Sequence, residues 1–112
     1  MDENLRLTLL LDLYGPLLTD RQREALSLHL EEDLSYSEIA GEMGISRQGA
    51  ADAAGAARAQ LTLYEEKLGL LARHLRTQAS LRKAMDIASR LEGAQELRAV
   101  LRVLMEEDEH GV

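Results

Sequence analysis

Two serines eleven residues apart, Ser35 and Ser46 in LSYSEIAGEMGISRQ, constrain this chain more than any other feature. Ser35 stands three residues before Glu38, the spacing of a reciprocal helix cap. Gly44 suits the left-handed position that closes a helix. Ser46 can then satisfy the orphan amides of a new helix. A helix fitted between Ser35 and Gly44 has room for about two turns. The segment therefore spells a short helix, a tight glycine turn and a second helix starting at Arg47. Ala40 is small where the two helices cross, and Ile45 plugs the turn. This is the layout of a helix-turn-helix. The simpler reading is a plain hairpin in a bundle.

The flanks read as helices too. Leu7, Leu10, Leu11, Tyr14 and Leu18 mark one face of a leading helix over 3–15, and Leu5, Leu9 and Leu13 mark a second. Gly15-Pro16 ends it, because the residue before proline is pushed out of the α region. Thr19 and Gln22 form another capping box, which opens a helix running to about Glu31. Leu26 and Leu30 fall on one of its faces, beside Ala25 and Leu28. Ile39, Ala40 and Met43 face inward on the third helix. After Arg47 no breaker comes before Gly69, so a fourth helix over 47–74 is predicted. Ser80 can cap a fifth, with Leu81, Met85, Ala88 and Leu91 on one face. Gly93 marks a turn, and the last helix carries Leu97, Val100, Leu101 and Leu104 before an acidic, frayed tail at Glu106–Glu109. Leu, Ala, Glu and Arg dominate, with one proline and no Trp or Phe, a composition that favours helix over sheet. The expected fold is all-α: a leading amphipathic helix, the helix-turn-helix, a long fourth helix and a C-terminal helical hairpin. Residues 1–76 form the helix-turn-helix domain, and 77–112 the hairpin and tail packed as part of it.

Charge limits the function. The net charge is -7. Residues 1–46 hold ten acids and three bases, residues 47–76 three acids and five bases, and residues 77–112 seven acids and five bases. Only the segment after Gly44 is mildly basic. A duplex binder usually shows the opposite balance. The absence of Cys excludes disulfides and thiolate metal sites and fits a reducing, cytoplasmic setting. No apolar run reaches the 18 residues of a membrane span. Asp2 and Glu3 are unlike a secretory start.

The stretch LTDRQREALSLHLEEDLSYSEIAGEMGISRQ resembles region four of bacterial sigma factors, whose helix-turn-helix reads promoter DNA. LLLDLYGPLLTDRQREAL, LSYSEIAGEMGISRQG and LYEEKLGLL together resemble the YlxM, or p13-like, family more closely, over about residues 7–76. That resemblance implies a small, all-helical, cytoplasmic bacterial protein. It also implies a role in the signal recognition particle pathway, because the family's genes tend to lie beside those of the particle protein and its receptor. The chain departs from the family in its fourth helix. Ser46, Arg47, Gln48 and Asp52 match. Ala50 and Ala51 replace a branched and an aromatic residue, while Ala54, Gly55 and Ala56 replace an Ile, a Lys and an Arg. The core there must be filled by smaller groups, and the phosphate-holding cations are largely missing.

Two interaction readings follow. For DNA, Ser46, Arg47 and Gln48 lie at the helix start, where a major-groove helix presents side chains to base edges, and Arg58 is the next base along the helix. For protein contact, Ala51, Gly55 and Ala59 recur every four residues. That spacing allows a close helix approach, within the fold or to a partner helix. Internal packing against the second and third helices is the simpler of these. The apolar second half of helix four, with Leu61, Leu63, Tyr64, Leu68, Leu70 and Leu71, and the second face of helix one predict a homodimer. Structured RNA could be gripped by Arg82, Lys83, Arg90, Arg98 and Arg102, although a solvated face paired with Asp86, Glu92 and Glu96 is simpler. Tyr14 faces the core and Tyr36 braces the motif. His29, His74 and His110 are scattered, and no catalytic motif, metal site or cofactor is expected. The function predicted is a non-enzymatic adaptor or regulator that contacts a component of the signal recognition particle. The alternative is a DNA-binding transcriptional regulator.

Overall fold

The computed structural model describes residues 1–110. It contains six α-helices and one 3-10 turn, and no strand among the described residues. The chain divides into two compact units, Met1–Gly69 and Leu70–Val112.

In the first unit, α1 spans Glu3–Tyr14 and opens on Asp2, whose carboxylate accepts from the Leu5 amide at 3.2 Å. Leu7, Leu10, Leu11 and Tyr14 are buried along it, followed by Leu18. Of the second face, Leu5 is exposed and Leu9 and Leu13 are half-buried. Gly15–Leu17 form a 3-10 turn, with Pro16 placed where a missing N–H costs nothing. Helix α2 spans Asp20–Leu30 behind the Thr19–Gln22 capping box, in which both bonds are made. Helix α3 spans Tyr36–Met43, and its Ser35–Glu38 box is likewise complete. Gly44 adopts φ 67°, and the Ile45 amide reaches back to the Ala40 carbonyl at 3.1 Å. Ser46 caps α4, accepting from the Gly49 amide at 2.9 Å. The expected helix-turn-helix is therefore present at the expected residues.

Its core is built from alanine. Ala25 of α2, Ile39 of α3, and Ala50, Ala53 and Ala54 of α4 form one buried cluster. Leu28, Leu34, Tyr36, Ala40, Met43 and Ile45 pack against it. Ala57 and Leu61 continue the seam at 0% exposure. Methyl-sized groups at i, i+3, i+4 and i+7 bring the helix backbones close. At the far end of α4, Tyr14 is 1% exposed. Its hydroxyl donates to Glu65 Oε1 at 2.7 Å, and its ring lies 5.8 Å from that of Tyr64.

The structure corrects the boundaries of the fourth and fifth helices. Helix α4 spans Arg47–Leu68 and does not run on to 74. Gly69 takes φ 63°, a left-handed closure, and donates to the Glu65 carbonyl at 2.9 Å. Helix α5 then spans Leu70–Ser89, so Ser80 lies inside it and caps nothing. After a turn at Gly93, φ 73°, α6 spans Gln95–His110 and packs on α5. The tail at 106–109 is not all solvated charge. Asp108 Oδ2 accepts from Gln78 Nε2 at 2.8 Å, and Gln78 is 8% exposed. His74 Nδ1 lies 3.1 Å from the same oxygen.

Two tests follow. Ala54→Leu should destabilise the protein by about 1–3 kcal/mol through overpacking, whereas Ala59→Leu, on the exposed side of α4, should shift the melting temperature little. Glu38 is held below its ordinary value of 4.5 by the Ser35 amide first and the Ser35 hydroxyl second. A depressed carboxylate adds stability at pH above its unfolded value and loses it as pH falls through the folded value. Melting temperature should therefore fall more steeply below about pH 4.5 in the wild type than in Glu38→Gln.

Candidate functional site

The outward side of α4 is exposed. Its start is set by the Ser46 cap, which leaves Arg47 and Gln48 exposed in the first turn. Gln48 Nε2 donates to Asp52 Oδ1 one turn on at 2.8 Å. A third polar group comes from elsewhere. Arg21, on the first turn of α2, brings its guanidinium so near Gly49 that a Cβ there would stand 2.9 Å from Nη2. Between these elements lies an open cleft of about 330 Å³, lined by Thr19, Arg21, Gln22, Gly49, Asp52 and Ala56 among others. Reading the sequence missed Arg21. Its position after Thr19 marks it as a first-turn residue of α2, but only the packing of α2 on α4 carries it to the start of α4.

Arg58 is not on the reading end at all. It is half-buried, and its Nη1 donates to the Tyr36 hydroxyl at 3.1 Å. Tyr36 in turn stacks on His29, with centroids 5.1 Å apart at 24°. His29 Nδ1 donates to the Leu34 carbonyl at 2.9 Å. The three side chains brace α2, α3 and α4 around the motif, the role expected of Tyr36. Arg58, expected as a nucleic-acid ligand, is half-buried and holds Tyr36.

The small-residue stripe does not make the internal contact that was its simpler reading; it faces outward. Ala51 is half-buried, Gly55 and Ala59 are exposed, and nothing lies within 4 Å of a Cβ built on Gly55. The internal contact runs instead through Ala50, Ala53, Ala54 and Ala57. Successive residues turn by roughly 100° on a helix, so a stripe one residue out of step faces solvent. Beyond Arg47 this outward face shows Ala51, Asp52, Gly55, Ala56, Ala59 and Gln60, with no exposed cation until Lys67.

The hairpin arginines differ from expectation as well. Arg98 Nη1 donates to the carbonyls of Ala88 and Leu91, at 3.1 and 3.4 Å, closing the end of α5. Arg90 Nε donates to the Asp86 carbonyl at 3.1 Å. Neither engages the carboxylates of Asp86, Glu92 or Glu96 through these bonds. Among the described residues no three His, Asp or Glu cluster as metal ligands, and no helix is long and apolar enough to cross a membrane. His110 has no described side chain.

Similarity to known proteins bears on the same motif. A UPF0122 protein of Caldanaerobacter subterraneus subsp. tengcongensis is 49% identical over 73 residues, 65% of this chain and 62% of the relative, so the match spans under two thirds of that protein. One from Symbiobacterium thermophilum is 42% identical over 100 residues, 87% of this chain and 92% of the relative. One from Halalkalibacterium halodurans is 38% identical over 104 residues, 93% and 95% of the two chains.

Tyr36→Phe should lower stability by about 0.5–1.5 kcal/mol, the net worth of a hydrogen bond. Arg58→Ala should destabilise similarly and leave the salt dependence of any residual DNA binding unchanged. A phosphate ligand would instead reduce that slope by about one. Residues 1–100 match the family described as "Putative helix-turn-helix protein, YlxM / p13 like", and the chain belongs to that family.

Proposed function

We propose that this protein is a non-enzymatic adaptor or regulator that works through protein contacts. The observation that carries this reading is the outward face of α4. A helix that holds a duplex needs cations beside its reading end, since phosphate contacts supply most of the affinity. Here that face offers Arg47, then small side chains and Asp52, with Arg58 committed to Tyr36. The Met1–Gly69 unit as a whole carries thirteen acids against six bases. A smooth, nearly uncharged helix face suits close approach by a partner helix. The family resemblance supports the signal recognition particle pathway as the setting, with a component of that particle as the partner.

Exposed Arg47, with Arg21 close by at Gly49, favours DNA reading as the second possibility. The two readings separate in one titration. The protein is titrated into labelled genomic fragments and into reconstituted signal recognition particle at roughly 50 and 200 mM salt. The expected result is particle binding that survives the higher salt and is lost in Gly55→Glu. Gly55 has open space around it and an ordinary helical backbone, so that variant should stay folded by circular dichroism. Tight, salt-sensitive DNA binding lost in Arg47→Ala would overturn the proposal.

A further inference from the structure

We propose that the outer face of α6 is a docking groove for a cationic amphipathic helix of a partner protein. The inference concerns the Leu70–Val112 unit and stands whether or not α4 binds a partner. Large apolar side chains lie open there: Leu91 is 52% exposed, Leu97 48%, Val100 53%, Val103 51% and Leu104 44%. They are continuous. Leu91, Leu97 and Val100 share one open cleft of about 580 Å³, and Val100, Val103 and Leu104 share a second of about 440 Å³. Val100 belongs to both. From Leu97 to Glu107 the groove runs about 15 Å along α6, matching some three turns of a docked helix.

Charge chooses the occupant. Glu92 and Glu96 line the first cleft and Glu107 the second. None of the residues lining the two is basic. Arg98, which could have neutralised them, turns to the Ala88 and Leu91 carbonyls. An apolar floor with acidic edges fits a helix with apolar anchors at i, i+3 or i+4, and i+7, flanked by Lys or Arg. A second copy of this chain would set the same three acids against each other, and like charges across an interface oppose pairing.

The probe is a fluorescent helical peptide of leucine and lysine, about 18 residues long, with leucine confined to one face. Its binding to the full chain is read by anisotropy, beside a scrambled peptide of equal composition. The expected result is binding at least about tenfold weaker for the scrambled peptide and for the variants Val100→Asp and Leu97→Gln. Val100→Asp adds a negative charge, so unspecific attraction between an acidic protein and a cation would strengthen its binding instead. Unchanged or tighter binding by both folded variants, or equal binding of the scrambled peptide, overturns the proposal. So does a dimer, seen by sedimentation, that Val100→Asp converts to monomer, because a second copy would then occupy the face. The α4 variants are not involved, so failure here leaves the particle titration unaffected.

Discussion

The close approach of α4 to α2 and α3 is the constraint on which the helix-turn-helix depends. Three buried alanines of α4, Ala50, Ala53 and Ala54, cluster with Ala25 and Ile39, and Ala57 is buried one turn further on. Alanine buries little apolar surface, so the stability of such a seam comes from backbone proximity and high packing density rather than from large side chains. Bulkier groups gather at its edges, where Leu28, Leu34, Met43 and Ile45 seal it. The caps at Thr19, Ser35 and Ser46 fix where each helix starts, and so fix which alanines meet.

The same compact seam shapes the surface. With the apolar side of α4 turned inward, the outward side retains Arg47, Gln48 and a run of small residues. Arg58 falls between the two sides, where it can reach Tyr36; that bond joins α4 to α3, and the Tyr36–His29 stack carries the link on to α2. A cation that could have held a phosphate instead holds the motif together. Family membership and the outward side of α4 together describe a helix-turn-helix whose exposed fourth-helix face carries few cations.

The C-terminal unit uses another kind of economy. Two helices alone bury few large side chains: Leu71, Ala88 and Leu101 are buried, as is Gln78. Polar groups contribute to the pairing, through Gln78 to Asp108 and through Arg98 to the end of α5. A buried amide that finds its acceptor fixes one register between helices, since a slip would leave it unpaired. The apolar residues left over lie along one open edge of α6.

The sequence by itself determined whatever depends on neighbours within a turn or two. Both capping boxes, the Ser46 cap, the left-handed Gly44, the turn at Gly93 and the buried face of α1 were legible because their partners lie three to eleven residues away. It did not determine which side of α4 is buried. Hydrophobic periodicity locates a core face by contrast between large apolar and polar residues. In a helix of Ala and Gly that contrast vanishes, so Ala51, Gly55 and Ala59 and the truly buried Ala50, Ala53, Ala54 and Ala57 look alike. Gly69 could equally have been spanned, and its left-handed backbone is a choice of conformation that glycine permits but does not compel. The tertiary structure alone set Arg21 beside Gly49, turned Arg58 to Tyr36, and gave Asp108 to Gln78. Each of these unites residues twenty or more positions apart, and only the packing of whole helices brings such groups within reach.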